Sequence, residues 1–391
     1  MTTDVAPHAE RPLSVSTTGI QSNRALVAAC SNGVAGVLVF STLPLVLGGF
    51  AQSYGLSDLQ TGTLGSIYFG LYSLVALSSV FWIQRSSWRV MSTLGLLLML
   101  AGLVTCLLFR HYTGAIAGLS VSAMGAAIVT PISFSVIAQR QETERDYAIK
   151  LIPEQLVPGI LIVVVASLFA EQLSIFPFLL LLCGLMLVCL GLSQWIPARP
   201  QALNTCQSTT VKHTPVLLAL LALNLYFLGF AGLWAFLERI GDSGQLDTAV
   251  VGQLLALGLM TSALGPLCAA LLGERWGRTL PLLIALVGCL LSLGLLISDI
   301  TLVRFGLMVA LLPLAYYFGI GYFFAAVADA DKGGAYTALM PFSLALGAAL
   351  GPYLFALCKT FAGLPGALAL VAVTLTAGTL LLLSLQKNDL Q

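Results

Sequence analysis

Long apolar runs alternate with short polar connections along most of this chain. We place twelve of these runs at about residues 25–50, 60–82, 89–109, 114–138, 151–170, 174–195, 215–238, 249–272, 279–298, 303–326, 335–358 and 362–384. About 20 consecutive apolar residues cross a bilayer as a helix, and a helix satisfies its own backbone hydrogen bonds in lipid. The strict alternation of membrane β-strands is not seen. The pattern predicts an all-α membrane protein with twelve transmembrane helices, called spans 1 to 12 below.

The composition excludes the soluble classes of protein. Hydrophobic residues make up 58% of the 391 residues, charged residues only 8%, and the mean hydropathy is +0.98. An ordinary soluble domain has about 25% charged residues. A net charge of +1 gives no indication of nucleic-acid binding. Seven of the eight cysteines lie in apolar runs without metal-ligand spacing, so we expect packing roles, no metal and no cofactor.

The distribution of Lys and Arg predicts the orientation. With the N-terminus inside, four of the seventeen basic residues fall on the outer side: Arg110, Arg239, Arg304 and Lys359. The other thirteen are then cytoplasmic, as the positive-inside rule requires. Residues 1–24 are polar and contain no apolar core with a cleavage site, which is typical of a cytoplasmic tail. We expect a multi-pass protein of a bacterial inner (plasma) membrane, with both termini cytoplasmic.

The chain divides into two six-helix halves at the polar stretch between spans 6 and 7. We predict these units: tail 1–24, first bundle 25–198, linker 199–214, second bundle 215–385 and tail 386–391. A repeat relates the halves, because Pro153-x-x-Leu-x-x-Gly159 recurs as Pro341-x-x-Leu-x-x-Gly347. Internal repeats of this kind place the binding site of a transporter at the interface between the repeats.

A charged motif follows span 8. It reads Ala270-Leu-Leu-Gly-Glu274-Arg275-Trp-Gly277-Arg278, and a weaker copy, Gln84-Arg85-Ser-Ser-Trp-Arg89, follows span 2. Together with the span count, the linker and the repeat, this motif resembles the major facilitator superfamily along essentially the whole chain. The resemblance implies two pseudo-symmetric six-helix bundles around a cavity lined by spans 1, 2, 4, 5, 7, 8, 10 and 11. It also implies a conformational latch, assigned to Arg85, Arg89, Glu274, Arg275, Gly277 and Arg278.

Two family features are missing. Many proton-coupled members carry an Arg in span 4 where this chain has Leu119, and drug antiporters carry a Gly-Pro-x-x-Gly-Gly motif in span 5 where it has only Pro158-Gly159. The first copy of the latch motif has also lost its acid and its glycine. The resemblance therefore favours a transporter without indicating a standard drug/proton antiporter.

Glu154 is the strongest candidate for coupling to protons. It lies several residues into span 5, and an ionisable group at membrane depth costs at least about 2.5–3.5 kcal/mol, so such groups are usually functional. The alternative is an ion pair with Lys150 four residues earlier, with both side chains reaching the cytoplasmic surface. Gln155 is a neutral hydrogen-bonding candidate beside it.

Other polar and aromatic residues of the cavity-forming spans are candidates for contact with a substrate, or alternatively for packing between helices. They are Asn32, Tyr68, Tyr72, Asn224, Trp234, Gln253, Tyr316, Tyr317 and Tyr322. Glu238 and Arg239 are candidates for an outer gate or for a solvated pair. We find no Lys or Arg at mid-membrane, which argues against phosphorylated and polyanionic substrates.

These observations predict a secondary active transporter that moves a small organic molecule by alternating access, coupled to protons through Glu154. The alternative is a multidrug or lipid exporter of the same fold. An intramembrane enzyme is not expected, because the three His lie in tails or loops and catalytic motifs are missing. The expected partners are the substrate, protons and the lipid bilayer, with the protein as a monomer.

Overall fold

The computed structural model describes residues 19–168, 175–198, 213–273, 276–331 and 334–388. The tail before residue 19, nearly all of the linker, and the latch candidates Glu274 and Arg275 lie outside these residues. The described chain is almost entirely helical, and no β-strand occurs within it.

Six long helices form the first half. They are α1 Asn23–Tyr54, α2 Asp58–Trp82, α3 Trp88–Leu108, α4 Tyr112–Ala138, α5 Thr143–Leu168 and α6 Ile175–Leu192, followed by a 3₁₀ turn at Ser193–Trp195. The hydroxyl of Ser22 accepts a hydrogen bond from the backbone of Ala25 and so caps α1, while Ser57 and Gln60 form a reciprocal capping box on α2.

The second half contains the remaining elements. They are α7 His213–Trp234, α8 Leu237–Ser243, α9 Thr248–Ser262, α10 Leu264–Leu272, α11 Thr279–Gly294, α12 Leu302–Ala330, a 3₁₀ turn at Thr337–Leu339 and α13 Met340–Asn388. Helices α9 and α10 together form span 8, and α8 is a short helix before it. Helix α13 is two spans that meet at Gly363, whose φ of 65° breaks the helix.

Twelve membrane crossings result, as the sequence predicts. Ten helical segments of the described chain are long and apolar enough to cross a membrane, with 250–272 counted as one and 337–385 as one. The shorter apolar helix α11 and the division of the last segment at Gly363 supply the other two. The predicted all-α membrane fold is confirmed.

The start of span 5 is not where the apolar pattern puts it. Helix α5 begins at Thr143 rather than at residue 151, so its first two turns carry Glu144, Asp146 and Lys150, which are all buried. Charges end a run of apolar residues in the sequence. They do not end the helix, because each of these side chains has a partner of opposite charge.

The two halves meet on the face of the molecule that holds the turns α2–α3 and α4–α5, here called the inner face. This face is the one that the Lys and Arg distribution predicts to be cytoplasmic. The apolar core of the second half continues across it into the first half through residues such as Phe134 and Tyr147. A second core cluster belongs to the first half, apart from Ala345. The described packing between the halves is thus concentrated toward the inner face.

Candidate functional site

A cavity of about 670 Å³, partly open to solvent, lies between the two halves. Its lining from the first half consists of Gly36, Val37, Phe40, Ser41, Tyr72, Thr130, Phe134, Leu151, Glu154 and Gln155. Its lining from the second half consists of Phe227, Tyr317, Ile320, Phe324, Pro341, Leu344 and Ala345. Spans 1, 2, 4, 5, 7, 10 and 11 therefore contribute.

Aromatic rings dominate the chemistry of this cavity. Six of the described lining residues are aromatic: Phe40, Tyr72, Phe134, Phe227, Tyr317 and Phe324. The polar groups among them are the hydroxyls of Ser41, Thr130 and the two tyrosines, the amide of Gln155 and the carboxylate of Glu154. Such a lining suits a ligand with a substantial apolar body and few polar groups.

Glu154 forms a buried ion pair with Lys150. The Oε1 atom of Glu154 lies 2.5 Å from Nζ of Lys150, and the two side chains are 4% and 0% exposed. The ammonium also lies 3.9 Å from the centre of the Phe134 ring, in a cation–π contact. The predicted pairing at i, i+4 is present. The pair does not reach the surface as that alternative assumed, because the early start of α5 places Lys150 about two turns inside the helix.

This geometry adds a cation that the inference about mid-membrane residues left out of account. Lys150 is fully buried next to the cavity. Because Glu154 neutralises its charge, Lys150 does not provide an unpaired cation for binding a polyanionic substrate.

Gly33 of α1 makes room for the ion pair. A Cβ atom at this position would overlap Oε1 of Glu154 and would lie 3.1 Å from Cε of Lys150. Three groups on two helices are therefore packed against each other without spare volume. The sequence gives no sign of this contact, since nothing in the pattern shows which glycine of span 1 faces span 5.

Gln155 connects the halves at the level of the cavity. Its Oε1 accepts a hydrogen bond of 3.4 Å from the hydroxyl of Ser262 in span 8. Ser262 gives span 8 a place at the edge of the site, although the described residues of that span do not line the cavity. Gln155 is thus both a cavity residue and a bridge between the halves.

An ion-pair network joins the two halves at the inner face. The guanidinium of Arg278 bonds to Glu144 of the first half, and its Nη2 lies 2.5 Å from Oδ2 of Asp329 at the end of α12. Burial acts to lower the pKa of Arg278, but Glu144 and Asp329 together raise that pKa above its ordinary value. The guanidinium therefore stays charged. Nearby, the hydroxyl of Ser79 donates to the carbonyl of Ala338 at 2.9 Å across the halves.

The latch candidates divide into two groups. Arg278 forms an ion pair with the first half, and Gly277 adopts a φ of 62° in the turn before it. On the first half, Arg85 is exposed, and Nε of Arg89 donates to the carbonyl of Ile196 in the same half at 3.0 Å. The weaker copy of the motif thus packs within its own half.

An aromatic contact forms the part of the cavity wall that is nearest to the inner face. Phe324 of α12 packs edge-on against Phe134 at 4.9 Å between ring centres and lies 5.5 Å from the ring of Tyr147. The hydroxyl of Tyr147 donates to the carbonyl of Phe134 at 3.0 Å, which fixes the first-half side of this contact. Together these three residues, here called the aromatic seal, lie on the side of the cavity that is nearer to the inner face.

Several candidates lie away from the cavity. The amide of Asn32 exchanges hydrogen bonds with Ser92 of span 3, at 2.7 and 3.0 Å. The Nδ2 atom of Asn224 donates to the carbonyl of Ser343 in span 11 at 2.7 Å. Both side chains join neighbouring helices, which agrees with the packing alternative rather than with a direct place in the described cavity.

The aromatic candidates divide in the same way. Tyr72 and Tyr317 line the cavity. Four others are packed outside its lining: Tyr68 against Phe69, Tyr316 against Phe230 and Tyr226, Trp234 against Phe230, and Tyr322 against Phe318. The spacing of four residues places two side chains on the same face of a helix. It does not show whether that face points toward the cavity or toward a neighbouring helix.

The remaining candidates are exposed. Gln253 lies on the exposed side of α9. Glu238 and Arg239 are both exposed, and the guanidinium of Arg239 lies 5.4 Å from the Phe236 ring. Within the described residues no ion pair joins these two, and no group of three His, Cys, Asp or Glu is placed to hold a metal ion.

The site includes residues that the sequence did not indicate. Phe134 and Phe324 form the floor of the cavity, and Glu144 and Asp329 hold Arg278. The charged stretch before span 5 is the one signal that could have pointed to Glu144. The aromatic residues carry no such signal, since phenylalanine is common throughout the spans.

The backbone is similar to those of solved transporter structures. The transporter FucP of the major facilitator superfamily, in the outward conformation, is 15% identical with a TM-score of 0.72, and the match covers 92% of this chain and 98% of that chain. The human organic anion transporter MFSD10 is 17% identical with a TM-score of 0.74, covering 92% and 99%. The proton:xylose symporter XylE, bound to 6-bromo-6-deoxy-D-glucose, is 11% identical with a TM-score of 0.75, covering 91% and 94%.

Sequence comparison adds nothing to this likeness, because no family model and no curated protein sequence matches the chain. At these identities the structural likeness establishes the fold.

Proposed function

We propose that this chain, which has the fold of the major facilitator superfamily, is a secondary transporter that moves a small organic molecule across a membrane by alternating access. One observation carries the proposal: the cavity lies between the two halves, and both halves line it. Rocking of one half against the other around such a site would expose it to each side in turn.

We propose further that Glu154 couples transport to protons. Its carboxylate lines the cavity and is buried. The positive charge of the nearby Lys150 neutralises its negative charge. Protonation of Glu154 would remove one side of this pair and leave a buried positive charge, which costs free energy until the site rearranges. The likeness to XylE and FucP supports coupling, since both are named as proton symporters.

We also propose the membrane, the orientation in it and the oligomeric state. The excess of Lys and Arg on one side supports an inner membrane with both termini in the cytoplasm. One chain supplies both halves of the cavity, which supports a monomer as the transporting unit.

The first experiment identifies a ligand and then measures transport. A ligand at 100 times its dissociation constant should stabilise the purified protein by about 2.7 kcal/mol, which gives a readable thermal shift. In proteoliposomes, an imposed pH gradient should then drive net transport of this ligand by the wild type. Glu154→Gln should abolish gradient-driven transport while exchange of ligand for ligand continues, because the variant cannot take up or release a proton.

Glu142→Gln is the matched control. Glu142 is an exposed acid just before α5, paired with Arg145, and its neutralisation should leave transport unchanged. Unchanged gradient-driven transport in Glu154→Gln would contradict the coupling role of Glu154. Absence of any transport by the wild type, with a ligand that binds, would contradict the transporter proposal itself.

The aromatic lining also favours the alternative, an exporter of drugs or amphiphiles. Stabilisation by several unrelated hydrophobic compounds would support it. Stabilisation by a single class of polar compound would count against it.

A further inference from the structure

Two opposite charges lie beside the cavity, and the negative one is nearer to it. Glu154 lines the cavity, whereas Lys150 is 0% exposed and is not among the lining residues. Its ammonium is enclosed between Oε1 of Glu154 and the ring of Phe134. A ligand in the cavity therefore meets the carboxylate, while the ammonium lies behind it.

The walls of the cavity favour a positive charge. Aromatic faces attract cations, and this attraction grows when water is excluded. Phe134 already does this for Lys150, whose ammonium lies 3.9 Å from the ring centre. Five further aromatic residues line the same cavity. A carboxylate among aromatic rings is the chemistry that recognises an organic cation with an apolar body.

We propose that the cavity binds organic monocations, and that the bound cation and a proton on Glu154 exclude each other. This inference rests on the proposed function and adds to it the substrate class and the mode of coupling. Since only one of the two is bound at a time, the protein exchanges a cation for a proton across the membrane.

The exclusion follows from the charge that Lys150 contributes. The empty site is neutral, because Lys150 and Glu154 cancel. Protonation of Glu154 leaves one positive charge, and binding of a cation to the ionised site also gives one. Proton and cation together would place two positive charges in a buried site, which desolvation and like-charge repulsion disfavour.

No other described charge near Glu154 relieves this repulsion. The titratable groups that interact with it are Cys30 from span 1, Tyr72 from span 2 and Tyr317 from span 10, together with Lys150 on its own helix. The thiol and the two phenols are neutral at physiological pH. Arg140 and Asp146, farther toward the inner face, pair with each other at 2.5 Å.

Equilibrium binding to the purified full-length protein tests the proposal without requiring transport. Three probes share one aromatic body and differ in charge: trimethyl(2-phenylethyl)ammonium, 3-phenylpropanol and 3-phenylpropanoate. We expect the quaternary cation to bind wild type about tenfold more tightly than either of the others. Its affinity should fall as the pH is lowered, since protons then occupy Glu154, and its binding should release protons into a weakly buffered solution.

Two single variants should shift cation affinity in opposite directions. Glu154→Gln leaves Lys150 unpaired and should weaken binding of the quaternary cation about tenfold or more and remove its pH dependence. Lys150→Met leaves the carboxylate unpaired and should strengthen binding. Glu142→Gln, which neutralises an exposed carboxylate outside the cavity, is the control and should leave the affinity for the cation unchanged. If Lys150→Met does not fold, the double variant Glu154→Gln/Lys150→Met, which has no charge at this place, should bind the cation weakly and without pH dependence.

An anion site would give the opposite pattern, with 3-phenylpropanoate bound best and its affinity increased in Glu154→Gln. That result, or an affinity for the cation that Glu154→Gln does not change, would overturn the inference. The proposed function fails differently. Cation binding with the expected variant pattern, but without transport in proteoliposomes, would contradict the transporter and leave the binding inference standing.

Discussion

At Gly33 the backbone of α1 lies directly against the Glu154 carboxylate, and no side chain larger than hydrogen fits between them. The ion pair is therefore held from two sides, by Lys150 on its own helix and by the span 1 backbone. The contact places span 1 directly beside the group that we propose as the proton carrier.

Gly33→Ala tests this contact. Alanine is the better helix former by about 1 kcal/mol, but the added methyl group would displace Glu154 and cost about 1–3 kcal/mol of strain. We expect a lower melting temperature and weaker coupling to the pH gradient. Gly48→Ala, on the same helix with no atom within 4 Å of the added Cβ, should be neutral or stabilising. Equal melting temperatures for both variants would contradict the packing described here.

Glu154 illustrates how far the sequence can identify a single functional residue. Its position inside an apolar run singles it out, because a charge there is costly without a partner. Asn32 and Asn224 carry a similar signal, yet their amides join neighbouring helices. The type of a residue shows that it needs a partner. Whether that partner is a helix or a substrate depends on how each helix is rotated in the bundle.

Among the elements, α5 and α12 form the division between cavity and inner face. Helix α5 supplies Tyr147, Glu154 and Gln155, and α12 supplies Phe324 and Asp329. Since Glu144 also lies on α5, each helix carries a cavity residue, part of the aromatic seal and part of the ion-pair network at the inner face. A movement of α12 against α5 would open the seal and stretch the network together.

Phe324→Ala should open the aromatic seal. Loss of the ring removes the contacts with Phe134 and Tyr147, so water and small reagents should enter the cavity from the inner face. The readout is labelling of Ser41→Cys, a cavity position, by a membrane-impermeant thiol reagent applied to the inner face of a cysteine-free protein. Phe318→Ala on the same helix is the control, and labelling no faster than in this control would contradict the role of Phe324.

Span number and span identity were readable from the sequence, because twenty apolar residues have few alternatives to a membrane helix. The position at which span 5 begins could not be predicted from the sequence. Glu144, Asp146 and Lys150 look like loop charges until their partners are known, and Arg278, the partner of Glu144, is far away in the sequence. Charge neutralisation over long sequence distances is the information that an apolar pattern lacks.

For the whole molecule, the repeat between the halves predicts the two-bundle architecture and the place of the cavity. It does not predict which face is closed, because a rocking pair of bundles has more than one closed arrangement. In this structure the described ion pairs and aromatic contacts between the halves gather at the inner face, where Arg278 is held from both halves. Alternating access requires this face to open.

The most direct test of the account is the distance between the halves at the inner face. Spin labels on Val90→Cys of α3 and Leu280→Cys of α11, both exposed, report it in a protein whose native cysteines are replaced and whose ligand binding is retained. Without ligand, the wild type should show one short distance. Arg278→Gln, which breaks the bridge to Glu144 and Asp329, should add a longer distance, and so should a transported ligand. Arg89→Gln, whose partner lies in its own half, should add none.

A second, longer distance in Arg278→Gln and with ligand would establish that the halves move around the cavity as a transporter requires. A single distance, unchanged by ligand, by pH and by Arg278→Gln, would contradict alternating access in this protein.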